Sequence, residues 1–127
     1  VLTKEDIAGT WVQDIVSRAS TIHRRQILTL DVNNRVSLRY IEYENKISDS
    51  TYTTQFTGNF RTNGKKLYFT TETYSSWSMV EGWRTGIYRA DMFENCQYER
   101  RGDTLLIDYY TRPADAPVLT HAVFTRL

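Results

Sequence analysis

Cysteine is almost absent from this 127-residue chain, proline is rare, and no apolar stretch is long. Cys96 stands alone, so no disulfide can form within the chain, and a cysteine-based metal site is excluded. Both prolines, Pro113 and Pro117, fall in Arg112–Pro117, a stretch that therefore cannot be central strand. No apolar run approaches the roughly 20 residues of a membrane-spanning helix. No Asn-x-Ser/Thr triplet occurs, which removes glycosylation as a guide to compartment. An excess of one charge is also missing. Sixteen basic and fifteen acidic residues leave a net +1, and no like-charge block is longer than a pair, as at Arg24-Arg25 and Arg100-Arg101. That balance excludes the electrostatic footprint of a nucleic-acid or acidic-membrane partner.

The catalytic inventory is equally thin. The chain has no Gly-rich phosphate loop, no Gly-x-Ser-x-Gly elbow and no His-Glu-x-x-His, and nothing in it calls for a cofactor. His23 and His121 lie on strands without a carboxylate at ligand spacing, so no metal site is expected. Val1 is not an initiator methionine. Either a leader has been removed, which would make the protein extracytoplasmic, or the chain has been trimmed.

What is present is alternation. Hydrophobic residues make up 40% and charged residues 24% of the sequence, enough for one globular domain over residues 1–127. Thr3 followed by Asp6 resembles a capping box, and the spacing predicts one helical turn over residues 3–8, ended by Gly9. From Thr10 the chain alternates as strand. Thr21–Val32 and Arg35–Glu44 form a hairpin about Asn33-Asn34, with Leu28, Leu30 and Val32 on one face. On the return strand Val36, Leu38, Tyr40 and Glu42 share a face.

Thr51–Arg61 alternates most regularly, with Tyr52, Thr54, Phe56, Gly58 and Phe60 on one side. Gly58 in phase with these aromatics signals a bend or a close approach. A turn at Thr62–Lys65 leads back through Leu67 and Phe69. Ser75–Thr85, with Trp77, Met79 and Trp83, is expected to be an aromatic loop, and Gly86–Glu99 a single long strand. Two further strands, Thr104–Tyr110 and Val118–Arg126, complete eight. Eight strands joined by short hairpins with no helical crossover predict an all-β, antiparallel up-and-down barrel with a short N-terminal helical turn.

Gly9-Thr10-Trp11 at the start of the first strand is similar to the Gly-x-Trp signature of the lipocalins, and Arg126 stands where that family carries an arginine packed across the tryptophan. Gly58-Asn59-Phe60, Asn63-Gly64-Lys65-Lys66-Leu67 and the terminal Phe-Thr-Arg-Leu resemble the compact bacterial lipocalin-like domains of the calycin superfamily. The chain departs from the secreted members in its shorter length, its lack of disulfides and its lack of a long outer helix. The resemblance implies a binding barrel with Trp11 and Arg126 as its closure, without implying a particular ligand.

Candidate lining residues are Tyr40, Glu42, Tyr52, Phe56 and Phe69, with Trp77, Met79 and Trp83 as a lid at the mouth. Their residue types point to a small, largely apolar or aromatic molecule as the partner. Glu42 is the one candidate for acid–base chemistry, which keeps open a cofactor-independent cyclase or isomerase working in the same barrel. A third reading is an interaction module that uses the Ser75–Thr85 segment and holds no internal ligand.

Overall fold

The fold follows from where the alternating strands find partners. The structure is a computed structural model and describes residues 7–16, 22–44, 52–87, 93–111 and 116–127. Nine strands are present among these residues: β1 (Gly9–Val16), β2 (His23–Leu30), β3 (Arg35–Tyr43), β4 (Tyr52–Asn63), β5 (Lys66–Ser78), β6 (Gly82–Ile87), β7 (Glu94–Arg101), β8 (Thr104–Thr111) and β9 (Val118–Arg126). All neighbours are antiparallel. β1 pairs with both β2 and β9, and β4 with both β3 and β5, so the sheet closes on itself. β6 and β7 share one edge of β5: β7 pairs with its start at Lys66–Leu67 and β6 with its end from Thr73. The wall is therefore an eight-stranded closed antiparallel barrel.

Three expectations change. The segment Ser75–Thr85 is a hairpin of β5 and β6 about a turn at Met79–Glu81. The expected strand Gly86–Glu99 is divided between β6 and β7, with residues 88–92 outside the described residues. Val32 belongs to a turn and is exposed, because Asp31 closes the hairpin early. There the Asn34 N–H donates to the Asp31 carbonyl at 3.0 Å and the Asn33 N–H to the Asp31 carboxylate at 2.9 Å. The helical turn expected over residues 3–8 lies, apart from Ile7 and Ala8, outside the described residues.

The lower half of the barrel is solid. Leu28 and Leu30 of β2, Val36 and Leu38 of β3, Phe60, Leu67, Phe69, Phe93, Cys96, Leu105, Ile107 and Phe124 form one buried cluster around Trp11. Trp11 is fully buried and its indole N–H donates to the Ile7 carbonyl at 2.9 Å, which pairs the one polar atom the ring takes out of water. Arg126, its cross-strand partner, holds its guanidinium 5.3 Å from the ring, and Arg100 approaches at 5.7 Å. Both lie within cation–π range, an attraction of roughly 0.5–2 kcal/mol according to desolvation. Arg126 Nη2 also donates to the Ala8 carbonyl at 3.0 Å. Gly9 makes this possible: it sits at φ +139°, and a Cβ there would lie 3.1 Å from Arg126 Nη2.

Gly58 answers to a tighter constraint. A Cβ there would lie 1.9 Å from the Thr70 carbonyl oxygen, so β5 crosses β4 closer than any side chain allows. The register also shifts at this point: Gly58 faces Thr71 and Thr57 faces Thr73, which leaves Glu72 as the extra residue of a β-bulge. Glu72 turns outward and accepts from Asn59 Nδ2 at 2.5 Å and Arg35 Nη1 at 3.4 Å.

Trp11→Ala should cost about 3–5 kcal/mol in urea unfolding. Arg126→Ala should cost less, and the double mutant should show coupling between them. Strictly additive losses would separate the arginine from the indole. Gly58→Ala should cost about 3 kcal/mol or more, because backbone has to move to admit the methyl group.

Candidate functional site

Above the packed floor the inward side chains change character. Along successive cross-strand rows the inward residues are Gln26, Tyr40, Thr54 and Ser76, then Arg24, Glu42, Tyr52 and Ser78. Most are only half buried, where the corresponding floor residues are sealed. A cavity of about 430 Å³ opens here, lined by Arg24, Tyr40, Ile41, Glu42, Tyr52, Thr54 and Phe56. It falls within the range of small-molecule pockets, and its walls combine aromatic faces with a few polar groups.

Four of the expected lining residues, Tyr40, Glu42, Tyr52 and Phe56, thus meet around one cavity. Tyr40 packs edge-on against Phe56, with ring centroids 6.4 Å apart. Burial, reinforced by the nearby Tyr109 phenol, pushes the Tyr40 hydroxyl up to about 12. Glu42 stands at the rim, where Arg24 Nε donates to its carboxylate at 3.1 Å. With both partners partly exposed, this pair is worth at most about 1 kcal/mol. Its chemical effect is to occupy the carboxylate that acid–base chemistry would need.

Phe69 lies elsewhere. It is sealed in the floor, against Phe93 at 5.2 Å. Met79 sits at the tip of the β5–β6 hairpin and is largely exposed. Trp77 and Trp83 are cross-strand partners in register with Thr53, which alternates with the cavity residues Tyr52 and Thr54 on β4. Both indoles therefore face the outside of the wall. The bulge explains this: Leu67, Phe69 and Thr71 point inward, Glu72 is extra, and Tyr74 and Ser76 take over the inward phase. Tyr74 lies against Gly86 on that inner face, where a Cβ would be 2.9 Å from its ring.

Sequence reasoning missed Arg24, Ile41 and Thr54. Arg24 and Thr54 were findable by phase, since one alternates with Leu28 and Leu30 and the other with Tyr52 and Phe56. It also missed Tyr109, which shares the inward phase of Leu105 and Ile107 and packs on Phe93 at 4.8 Å.

A larger depression, about 730 Å³, lies on the outer wall by the turn at Gly64-Lys65. Four of its charged or titratable groups are exposed and paired, Arg101 with Glu99 at 3.0 Å and His121 with Asp108 at 2.5 Å. Six of its nine lining residues are polar or charged, whereas Tyr40, Tyr52 and Phe56 bring three aromatic rings to the interior cavity, which makes that the better candidate. His23 stacks on Tyr43 at 5.3 Å. No three His, Cys, Asp or Glu side chains converge among the described residues.

No family model, curated protein or solved structure matches the chain at a significant level. The class defined by the coordinates is an eight-stranded closed antiparallel barrel, filled at one end and open to a cavity at the other.

A pH dependence follows from Tyr40. Its folded-state pKa lies above the ordinary value of 10.0, so the unfolded chain loses the proton first as pH rises. The contribution of the neutral phenol is fully present below pH ~10 and is lost as pH climbs toward about 12. Urea midpoints between pH 9 and 11.5 should fall more steeply for the wild type than for Tyr40→Phe. Equal slopes would place the phenol in solvent.

Proposed function

We propose that this protein is a lipocalin-like barrel that binds a small, largely apolar or aromatic molecule in the cavity beneath its mouth. The observation that carries the reading is the interior's division into two halves. A fully packed floor already supplies the stabilising core, so Tyr40, Tyr52 and Phe56 around an open cavity are not needed to fill it. Apolar and aromatic surface left open inside a rigid wall favours an apolar guest through the area it removes from water. The closure by Trp11 and Arg126, with Gly9 making room for the guanidinium, supports the family resemblance.

The cyclase or isomerase reading has less support. Its one acid–base candidate, Glu42, is engaged by Arg24 at the rim. The interaction-module reading draws on the outward Trp83 and the exposed hairpin tip, but leaves the interior cavity without a purpose.

Anilinonaphthalene sulfonate should bind the native protein with a stoichiometry of one and gain fluorescence. Phe56→Ala should change its affinity about tenfold by altering an apolar wall. Trp83→Ala, on the outer face, should leave the affinity unaltered. Loss of binding on Trp83→Ala with no effect of Phe56→Ala would move the site to the hairpin.

A further inference from the structure

The cavity carries two opposite charges at its rim and aromatic rings below them. Of the seven residues that line it, Arg24 and Glu42 are the two with a charge. They face each other in register across β2 and β3, and Tyr52 of β4 stands opposite Glu42 in the same row. Tyr40 and Thr54 form the next row down. Phe56 follows below, its ring at 87° to that of Tyr40.

The two charges meet at a single point, Arg24 Nε to Glu42 Oε1 at 3.1 Å. The next arginine in the chain behaves differently. On the outer face, Arg25 grips Asp14 with two bonds, Nε to Oδ1 at 2.7 Å and Nη2 to Oδ2 at 3.1 Å. The outer pair thus uses the planar fork of the guanidinium, and the cavity pair does not. Neither Arg24 nor Glu42 has another side-chain partner among the described residues, so both terminal guanidinium nitrogens and Oε2 keep their hydrogen-bonding capacity. The Glu42 side chain is 32% exposed and that of Arg24 55%, which puts the carboxylate in the cavity wall and the guanidinium at its lip.

We propose that the cavity takes aromatic zwitterions of the α-amino-acid type, with the ring against Tyr40 and Phe56 and the charged head at Arg24 and Glu42. This rests on the cavity reading above and specifies its ligand. A guest with one charge answers half of the arrangement. A carboxylate at Arg24 comes beside the Glu42 anion, an ammonium at Glu42 comes beside the Arg24 cation, and each gain is opposed by the like charge. A head with both signs on neighbouring atoms meets two attractions instead. Its ammonium donates to Oε2 beside the Tyr52 ring, and its carboxylate accepts from the two terminal guanidinium nitrogens. Because the rim is only partly buried, the head keeps part of its water, which limits the cost of desolvation. A volume of about 430 Å³ leaves ample room for the aromatic body beneath.

Three probes with one ring system test the proposal by calorimetric titration: tryptophan, tryptamine, which lacks the carboxylate, and indole-3-propionate, which lacks the ammonium. The wild type should bind tryptophan about tenfold more tightly than either analogue, the difference one charge-assisted hydrogen bond supplies. Glu42→Gln should lower tryptophan to the level of indole-3-propionate, and Arg24→Gln should lower it to the level of tryptamine. Both side chains are partly exposed, so the urea midpoints of the two variants should stay close to that of the wild type. Tryptamine or indole-3-propionate binding the wild type as tightly as tryptophan overturns the zwitterion selection and leaves the cavity reading standing. A tryptophan affinity that survives both substitutions does the same. If none of the three binds while anilinonaphthalene sulfonate does, the proposal again fails and the cavity stands. If the sulfonate fails to bind as well, the cavity reading falls with it.

Discussion

The contact on which everything else depends is the one between Trp11 and Arg126. β1 and β9 share only two register pairs, Trp11 with Arg126 and Val12 with Thr125, so the backbone ladder alone is a short closure. Side chains lengthen it. The guanidinium lies over the indole and reaches the Ala8 carbonyl, the Thr125 hydroxyl donates to the Val12 carbonyl, and Gln13 accepts from the Val123 N–H. Because these contacts gather at one end, they also decide which end is filled. The tryptophan fixes the floor, the apolar side chains of seven other strands pack around it, and the opposite end is left with room.

That division of labour makes a binding site compatible with stability. A barrel of eight strands has an interior that side chains can just fill. Here they fill about half of it, with the large residues low and hydroxyl or amide groups above them. The floor supplies the hydrophobic burial that offsets chain entropy, so the upper half is free to present polar groups without Leu or Phe in every inward position. Arg24 and Glu42 then mark the rim by pairing with each other across β2 and β3.

The closed antiparallel barrel was legible because the alternation is regular and the turns are marked by Asn and Gly. Tyr52 through Phe60 keep one face throughout β4, and Leu28, Leu30, Val36 and Leu38 keep theirs. Four cavity residues were therefore reachable by counting in twos. The orientation of Trp77 and Trp83 was not. Counting in twos from Leu67 and Phe69 carries Trp77 to the inside, and only the extra residue at Glu72 sends it out. Gly58 gave the sign that something irregular happens there, but a glycine does not say which strand holds the additional residue. Phe69 misled for a different reason. Phase told its face correctly, but height along the barrel axis, which separates floor from cavity, is set by the stagger between strands and is invisible to periodicity.

The closing hydrogen bond between Arg126 and Ala8 joins residues 118 positions apart in the sequence. Every other neighbouring pair in the wall can form from a nearer partner, several of them across a tight hairpin. Folding must therefore leave the largest loop to be closed by the smallest ladder, and chains dominated by such distant contacts fold slowly. Until that step is complete, β1 and β9 are open edges, each presenting unpaired backbone groups to whatever strand arrives first. At high concentration the strand that arrives first can belong to another chain. The tryptophan–arginine contact thus acts against aggregation as much as for stability, by favouring the chain's own distant edge over a stranger's.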